Sequence, residues 1–198
     1  MKTRIVASLL ALASLGVLTG CNTTSIGITN YENPAPKVAF STYSQFELKE
    51  VDMKPPFAGQ DANEKAKNKL QKEIELRLTP NIQEWNERAE TTTAKTLVIE
   101  PIIREIKFIG GGARFWAGAM AGDSAIVVTV VYRDKESGDV IARPEFYQHA
   151  NAMGGAWSVG GTDNAMLNRM AGKITEFTVN NFEEAVGGPT GKPDPSKR

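Results

Sequence analysis

The chain has 198 residues, enough for one domain with a substantial core and short for two. Lys+Arg and Asp+Glu both number 23, so the formal net charge is zero, which excludes a polybasic nucleic-acid binder. One Cys and one His exclude an internal disulfide and a His-rich metal site, and 41% hydrophobic with 23% charged residues is the composition of a folded domain.

The amino terminus reads as an export signal. Lys2 and Arg4 form a positive n-region, and Ile5 to Leu18 is an apolar h-region too short and too diluted by Ala, Ser and Gly to stay in a bilayer as a spanning helix. It ends in Leu18-Thr19-Gly20-Cys21. These four residues resemble a bacterial lipobox. The resemblance implies that residues 1–20 are cleaved and that the Cys21 sulfur takes diacylglycerol, followed by an N-acyl chain such as palmitate. No cofactor is expected beyond these covalent lipids. Asn22, where Asp would favour inner-membrane retention in enterobacterial sorting, leans the expectation toward the outer membrane, facing the periplasm.

Residues 21–36 read as a polar tether ending in Asn33-Pro34-Ala35-Pro36, and 187–198, rich in Gly, Pro and Lys, as a disordered tail. The folded unit is then expected over 37–186. Lys37 to Val51 alternates like a half-buried strand, with Val38, Phe40, Phe46 and Leu48 on one side. Asp61 and Glu64 have capping-box spacing and open a helix with Ala66, Leu70, Ile74 and Leu78 on one face. Thr79-Pro80 is expected to start a second helix that buries Ile82 and Trp85.

Lys95 to Ile109 predicts another strand, with Pro101 marking a bulge. Ala125 to Tyr132 is apolar on both faces and suits a central strand. Residues 134–139 predict a hairpin turn with Gly138 at positive φ, and Val140 to Ala150 returns with Pro144 at an edge or bulge. A last helix, capped by Asp163, carries Met166, Met170, Ile174 and Phe177. This order predicts an α/β (α+β) two-layer sandwich: a mixed sheet of about four strands, with two or three helices mainly on one face.

The chemistry-bearing patterns are sparse. Between Gly110 and Gly122 neither the P-loop nor the Gly-x-Gly-x-x-Gly spacing occurs, so a nucleotide cradle is not indicated. There is no Gly-x-Ser-x-Gly, and His149 has no Cys or second His as partner. Glu84 and Glu87 share one helix face, unlike glycosidase carboxylates, which flank a cleft. What stands out is a small-residue surface, Gly118-x-x-x-Gly122, beside Arg114, Phe115, Trp116 and Met120, with Trp157 in a second Gly-rich loop. These residues are the candidate interface, and the alternative is a connector within the domain. No catalytic residue and no metal ligand are assigned.

From Lys95 to Phe182 the chain resembles a family of uncharacterised bacterial lipoproteins of the DUF 4410 type. The likeness lies in Gly110-Gly111-Gly112-Ala113-Arg114 through Gly122, the hydrophobic strand, the turn ending Ser137-Gly138, Val140-Ile141-Ala142, a Gly-rich loop and a closing helix. It implies a lipid-anchored envelope protein with a non-catalytic binding or assembly role, an envelope protein partner, self-association as an option, and no nucleic acid. Two alternatives follow: a ring-forming component of a secretion or transport assembly, and a membrane-anchored hydrolase of peptidoglycan or glycan.

Overall fold

Hydrophobic periodicity decides most of the elements. The computed structural model describes residues 26–88, 95–108, 124–150 and 161–197. In chain order these form β1 (Glu32–Asn33), a 3-10 turn (Phe40–Thr42), β2 (Gln45–Leu48), β3 (Asp52–Met53) and α1 (Asp61–Arg88). Then come β4 (Thr96–Lys107), β5 (Ser124–Asp134), β6 (Val140–Ala142), β7 (Glu145–Ala150), α2 (Gly161–Asn180) and β8 (Gly188–Pro189).

The fold is α+β, as expected. β2 and β3 lie parallel to β4, β4 is antiparallel to β5, and β5 carries β6 and β7 antiparallel on its other side. The parallel step from β2 to β4 needs a crossover, and α1 supplies it. Both helices pack on one face of the mixed sheet, α1 toward β2, α2 toward β7, and against each other. The core between the layers holds Leu70, Ile74 and Leu78 of α1, Met166, Met170 and Ile174 of α2, and the inward residues of β4 and β5. Rings fill one end of it, around the carboxyl end of α2: Phe40 stacks on Tyr132 with centroids 4.6 Å apart and packs on Phe177, and Trp85 stacks on Phe182 at 4.3 Å.

β5 is buried along Ser124–Tyr132, as its two-sided apolar sequence requires. Ile126, Val128, Val130 and Tyr132 face the helices. Ala125, Val127, Thr129 and Val131 point the other way and are also buried.

Several expectations are corrected. The helix pair is one continuous helix. The buried stripe Leu78, Ile82, Trp85 runs on in register through Pro80, which sits on the exposed side where its ring meets solvent. Asp61 stands inside the first turn, and it is Glu64 that reaches back, accepting the Gly59 N–H at 2.9 Å. The expected strand over 37–51 breaks at the Phe40–Thr42 turn, because the backbone N–H groups of Phe40 and Ser41 donate to Asn181 and Phe182 carbonyls rather than to the sheet.

Pro101 sits in regular register opposite Val130, and the bulge falls between Ile103 and Glu105. The Lys95 and Ile99 carbonyls accept from the β2 side, so alternation turns the Pro101 nitrogen to the same side. There β2 has ended opposite Ile99 and β3 begins only opposite Ile102, so the missing N–H costs no ladder bond.

The tether and tail differ most. Glu32–Asn33 pairs antiparallel with Gly188–Pro189, and Thr190 is 1% exposed, so the described parts of both segments, 26–36 and 187–197, are joined to the folded unit. Composition alone misses this, because a single pair of two-residue strands has no periodicity to read.

Candidate functional site

The residues proposed from sequence as functional fall outside the described part of the structure. This holds for the lipobox (Leu18, Thr19, Gly20, Cys21) and for the candidate interface (Arg114, Phe115, Trp116, Gly118, Met120, Gly122, Trp157). The structure does place the points where the two Gly-rich segments attach. β4 ends at Lys107, whose partner on β5 is Ala125, and Ala125 pairs in turn with His149 of β7. Ser124, where β5 begins, pairs with Ala150, where β7 ends. The 109–123 and 151–160 segments therefore leave the sheet from one end, on three adjacent strands roughly 5 Å apart. Sequence separation hides this neighbourhood; strand register creates it.

The other notable arrangement joins the two chain ends on the outer edge of β7. The Asn33 amide donates to the Glu145 carbonyl at 3.0 Å, and its oxygen accepts the Glu145 N–H at 2.8 Å. Tyr147 N–H donates to the Thr190 carbonyl at 2.8 Å. Thr190 N–H donates to Tyr31 at 2.9 Å, and its hydroxyl lies 3.0 Å from the Asn30 and Tyr31 carbonyls. Asn181, fully buried, donates to the Phe177 and Gly187 carbonyls and accepts from Val186 and Gly187 N–H. Lys192 donates to the Thr29 carbonyl at 3.1 Å, with its ammonium 4.7 Å from the centre of the Tyr31 ring. No periodic pattern in the sequence marks this clasp. The only sequence hint is an Asn before Pro at one end and a Gly-Gly-Pro at the other.

The clasp also covers the strand that follows Pro144, the position read from sequence as an edge or bulge. Pro144 itself accepts from Val130 N–H, inside the sheet. The opposite edge is closed in the same way: Asn86 of α1 accepts the Phe46 N–H and donates to the Phe46 carbonyl, and Gln71 accepts the Val51 N–H. Side-chain amides thus occupy backbone groups on both edges, at Glu145 and at Phe46 and Val51, where an added strand would pair.

Perturbed ionisable groups gather around the β5–β6 turn, and each has a structural partner. Asp134 accepts the Ser137 and Glu136 N–H groups and the Tyr43 hydroxyl, and these bonds, that from Ser137 first, hold its carboxyl below the usual range. Burial, then the Asp134 charge, push Tyr43 up to about 12. Lys135 and Lys49 donate to Glu47 and lower it to about 2. On the helix layer, Lys69 and Arg77 hold buried Glu73 below its ordinary value. With its amide turned to satisfy its neighbours, Asn168 donates to both Glu73 oxygens, linking α2 to α1. Tyr132 is raised by burial, and its hydroxyl meets that of Thr178 at 2.6 Å.

His149 stacks on Tyr147 at 5.8 Å, and its carbonyl accepts from Arg169. Glu145 lies four residues back on the same strand face, opposite Thr129, while His149 lies opposite Ala125. That spacing is about 13 Å, too far for an acid–base pair. Glu84 is paired with Arg88 on exposed helix surface. Among the described residues no group of three metal-ligating side chains occurs, and no helix is long and apolar enough to cross a membrane.

No protein-family model matches the chain, and none of the curated proteins does. Among solved structures, the chain is similar to the PelC dodecamer of Paraburkholderia phytofirmans at 10% identity, over 77% of this chain and 95% of that one, with a TM-score of 0.41. It is similar to a lipoprotein candidate from Caulobacter crescentus at 10% identity, over 68% and 91%, with a TM-score of 0.37. A third is XCC0632 from Xanthomonas campestris, of the DUF330 family, at 12% identity over 78% and 90%, with a TM-score of 0.36. Likenesses this distant carry no argument about activity.

Proposed function

We propose that the protein is a lipid-anchored lipoprotein of the bacterial envelope whose α+β domain binds or helps assemble an envelope partner, without catalysing a reaction. The observation that carries this reading is Leu18-Thr19-Gly20-Cys21 placed directly behind an h-region, with the chain's single Cys at the modified position. Two or more acyl chains make membrane attachment stable where one does not, at about 0.8 kcal/mol per buried CH₂. The anchor concentrates the domain at the membrane, and the recruitment of a partner follows from that local concentration. Asn22 favours the outer membrane, with the domain in the periplasm. The two Gly-rich segments leave neighbouring strands, so Arg114, Phe115, Trp116 and Trp157 are proposed as one contact region for that partner.

Metabolic labelling with an alkyne fatty acid tests the anchor. Label on the wild type and none on Cys21→Ala is expected; no label on the wild type, or label that survives the substitution, rejects it. In-cell crosslinking from positions 110–122 tests the partner. One enriched envelope protein is expected, and capture of only abundant bystanders overturns the binding role.

A further inference from the structure

The clasp makes the tether a short leash. From Thr29 onward the amino-terminal segment is bonded to the tail, through Lys192 at Thr29 and Thr190 at Asn30 and Tyr31. The tail is bonded to β7 through Tyr147. Eight peptide steps separate Cys21 from Thr29, which span at most about 29 Å when fully extended. A lipid on Cys21 therefore cannot leave this edge of the domain far from the bilayer.

The surface at that point has a matching composition. Ile26 and Ile28 line an open groove with Tyr147 and Pro193, and Lys192 lies at its wall. Aliphatic and Tyr side chains with a cation are what the headgroup layer accepts. The Lys192 ammonium has three donors; it uses one on Thr29 and turns another side to the Tyr31 ring, which leaves room for an anion. The neighbouring acid, Asp194, accepts from the N–H and hydroxyl of Ser196. β2 and α1 lie at the far edge of the same sheet, where Leu76 is 69% exposed.

We infer that the domain sits edge-on to the membrane, with the groove of Ile26, Ile28, Tyr147 and Lys192 against anionic phospholipid headgroups and the β2–α1 edge turned away. This rests on the lipid anchor proposed above. The domain does not stand off on a flexible stalk; it lies on the membrane with a fixed face.

The test uses the full acylated protein in vesicles of phosphatidylethanolamine and phosphatidylglycerol that contain a lipid-borne quencher. Acylation leaves Cys21 without a free thiol, so a fluorophore can be placed at Pro193→Cys or at Leu76→Cys alone. Quenching several-fold greater at 193 than at 76 is expected, falling when Lys192→Gln is added or when phosphatidylglycerol is omitted. Equal quenching at the two sites, or more at 76, overturns the orientation. Quenching at 193 that ignores both the substitution and the lipid charge overturns the anionic headgroup contact. Intact mass measured on the same sample reads the anchor separately: a chain without acyl mass on Cys21 overturns the anchor and this inference together, whereas acylated protein with equal quenching overturns only the inference.

Discussion

The side-chain amide of Asn33 completes both backbone hydrogen bonds of Glu145, 112 residues away, and so takes the place of a neighbouring strand at the edge of β7. Asn33 is itself 8% exposed, so removing the amide empties a buried position and leaves the Glu145 N–H and carbonyl without their protein partner. Asn33→Ala is expected to cost about 2 kcal/mol of stability in denaturant melts. It should also open the amino-terminal segment to proteolysis near Tyr31, ahead of global unfolding. A loss of stability without early cleavage there would mean that the clasp holds by other contacts.

Gly187 meets the same clasp from the tail. Its φ is +77°, and a Cβ would stand 2.4 Å from the Asn33 carbonyl oxygen. Both the left-handed backbone and the backbone contact oppose a side chain. Gly187→Ala is expected to destabilise by at least about 2 kcal/mol, whereas Gly27→Ala, with open space around it, should leave the melting temperature unchanged. Paired thermal melts decide this.

Thr129 carries the buried side-chain hydroxyl that has no hydrogen-bond partner among the described residues. It lies between Ile102 and Glu145 in the sheet register. Thr129→Val keeps the shape and removes the unpaired group, so a gain of about 1 kcal/mol is expected by chemical denaturation. A loss would reveal a polar partner for this hydroxyl.

Pro80 lies within α1 without ending it. It removes the helical donor to the Leu76 carbonyl. Pro80→Ala is expected to stabilise the protein by about 1–3 kcal/mol, seen as a higher denaturant midpoint at unchanged m-value.

Glu47 sets a pH dependence. Its folded pKa of about 2 lies below the ordinary value of 4.5, so its stabilisation is present above about 4.5 and is lost as pH falls toward 2. The side chain is a third exposed, which limits the contribution to about 0.5 kcal/mol. NMR titration should find the depressed value, and Lys135→Met, which removes the bond at 2.9 Å, should raise it toward the ordinary one. A Glu47 carboxyl titrating normally in the wild type would contradict this pairing.

Much of the architecture is legible from the chain alone. Wherever a stripe or an alternation is long, as in Ala66 to Trp85, Ala125 to Tyr132 or Met166 to Phe177, one face must leave water and the period names the element. The positive φ of Gly138 and the proposed role of Cys21 are likewise matters of local grammar. Pro80 misleads because an exposed proline can be carried by a helix whose buried face continues past it. Pro101 misleads because only the end of β2 opposite Ile99 shows that its missing donor is not needed.

The tertiary structure alone decides two things. Strand register brings the exits of the 109–123 and 151–160 segments together at one end of the sheet. Single side-chain amides, Asn33 and Asn181, tie the chain ends to the body across gaps that no periodic pattern spans. Hydrophobic burial is written in the sequence as period and composition. A hydrogen bond between residues 112 apart is specified by geometry, and that exists only once the sheet has formed.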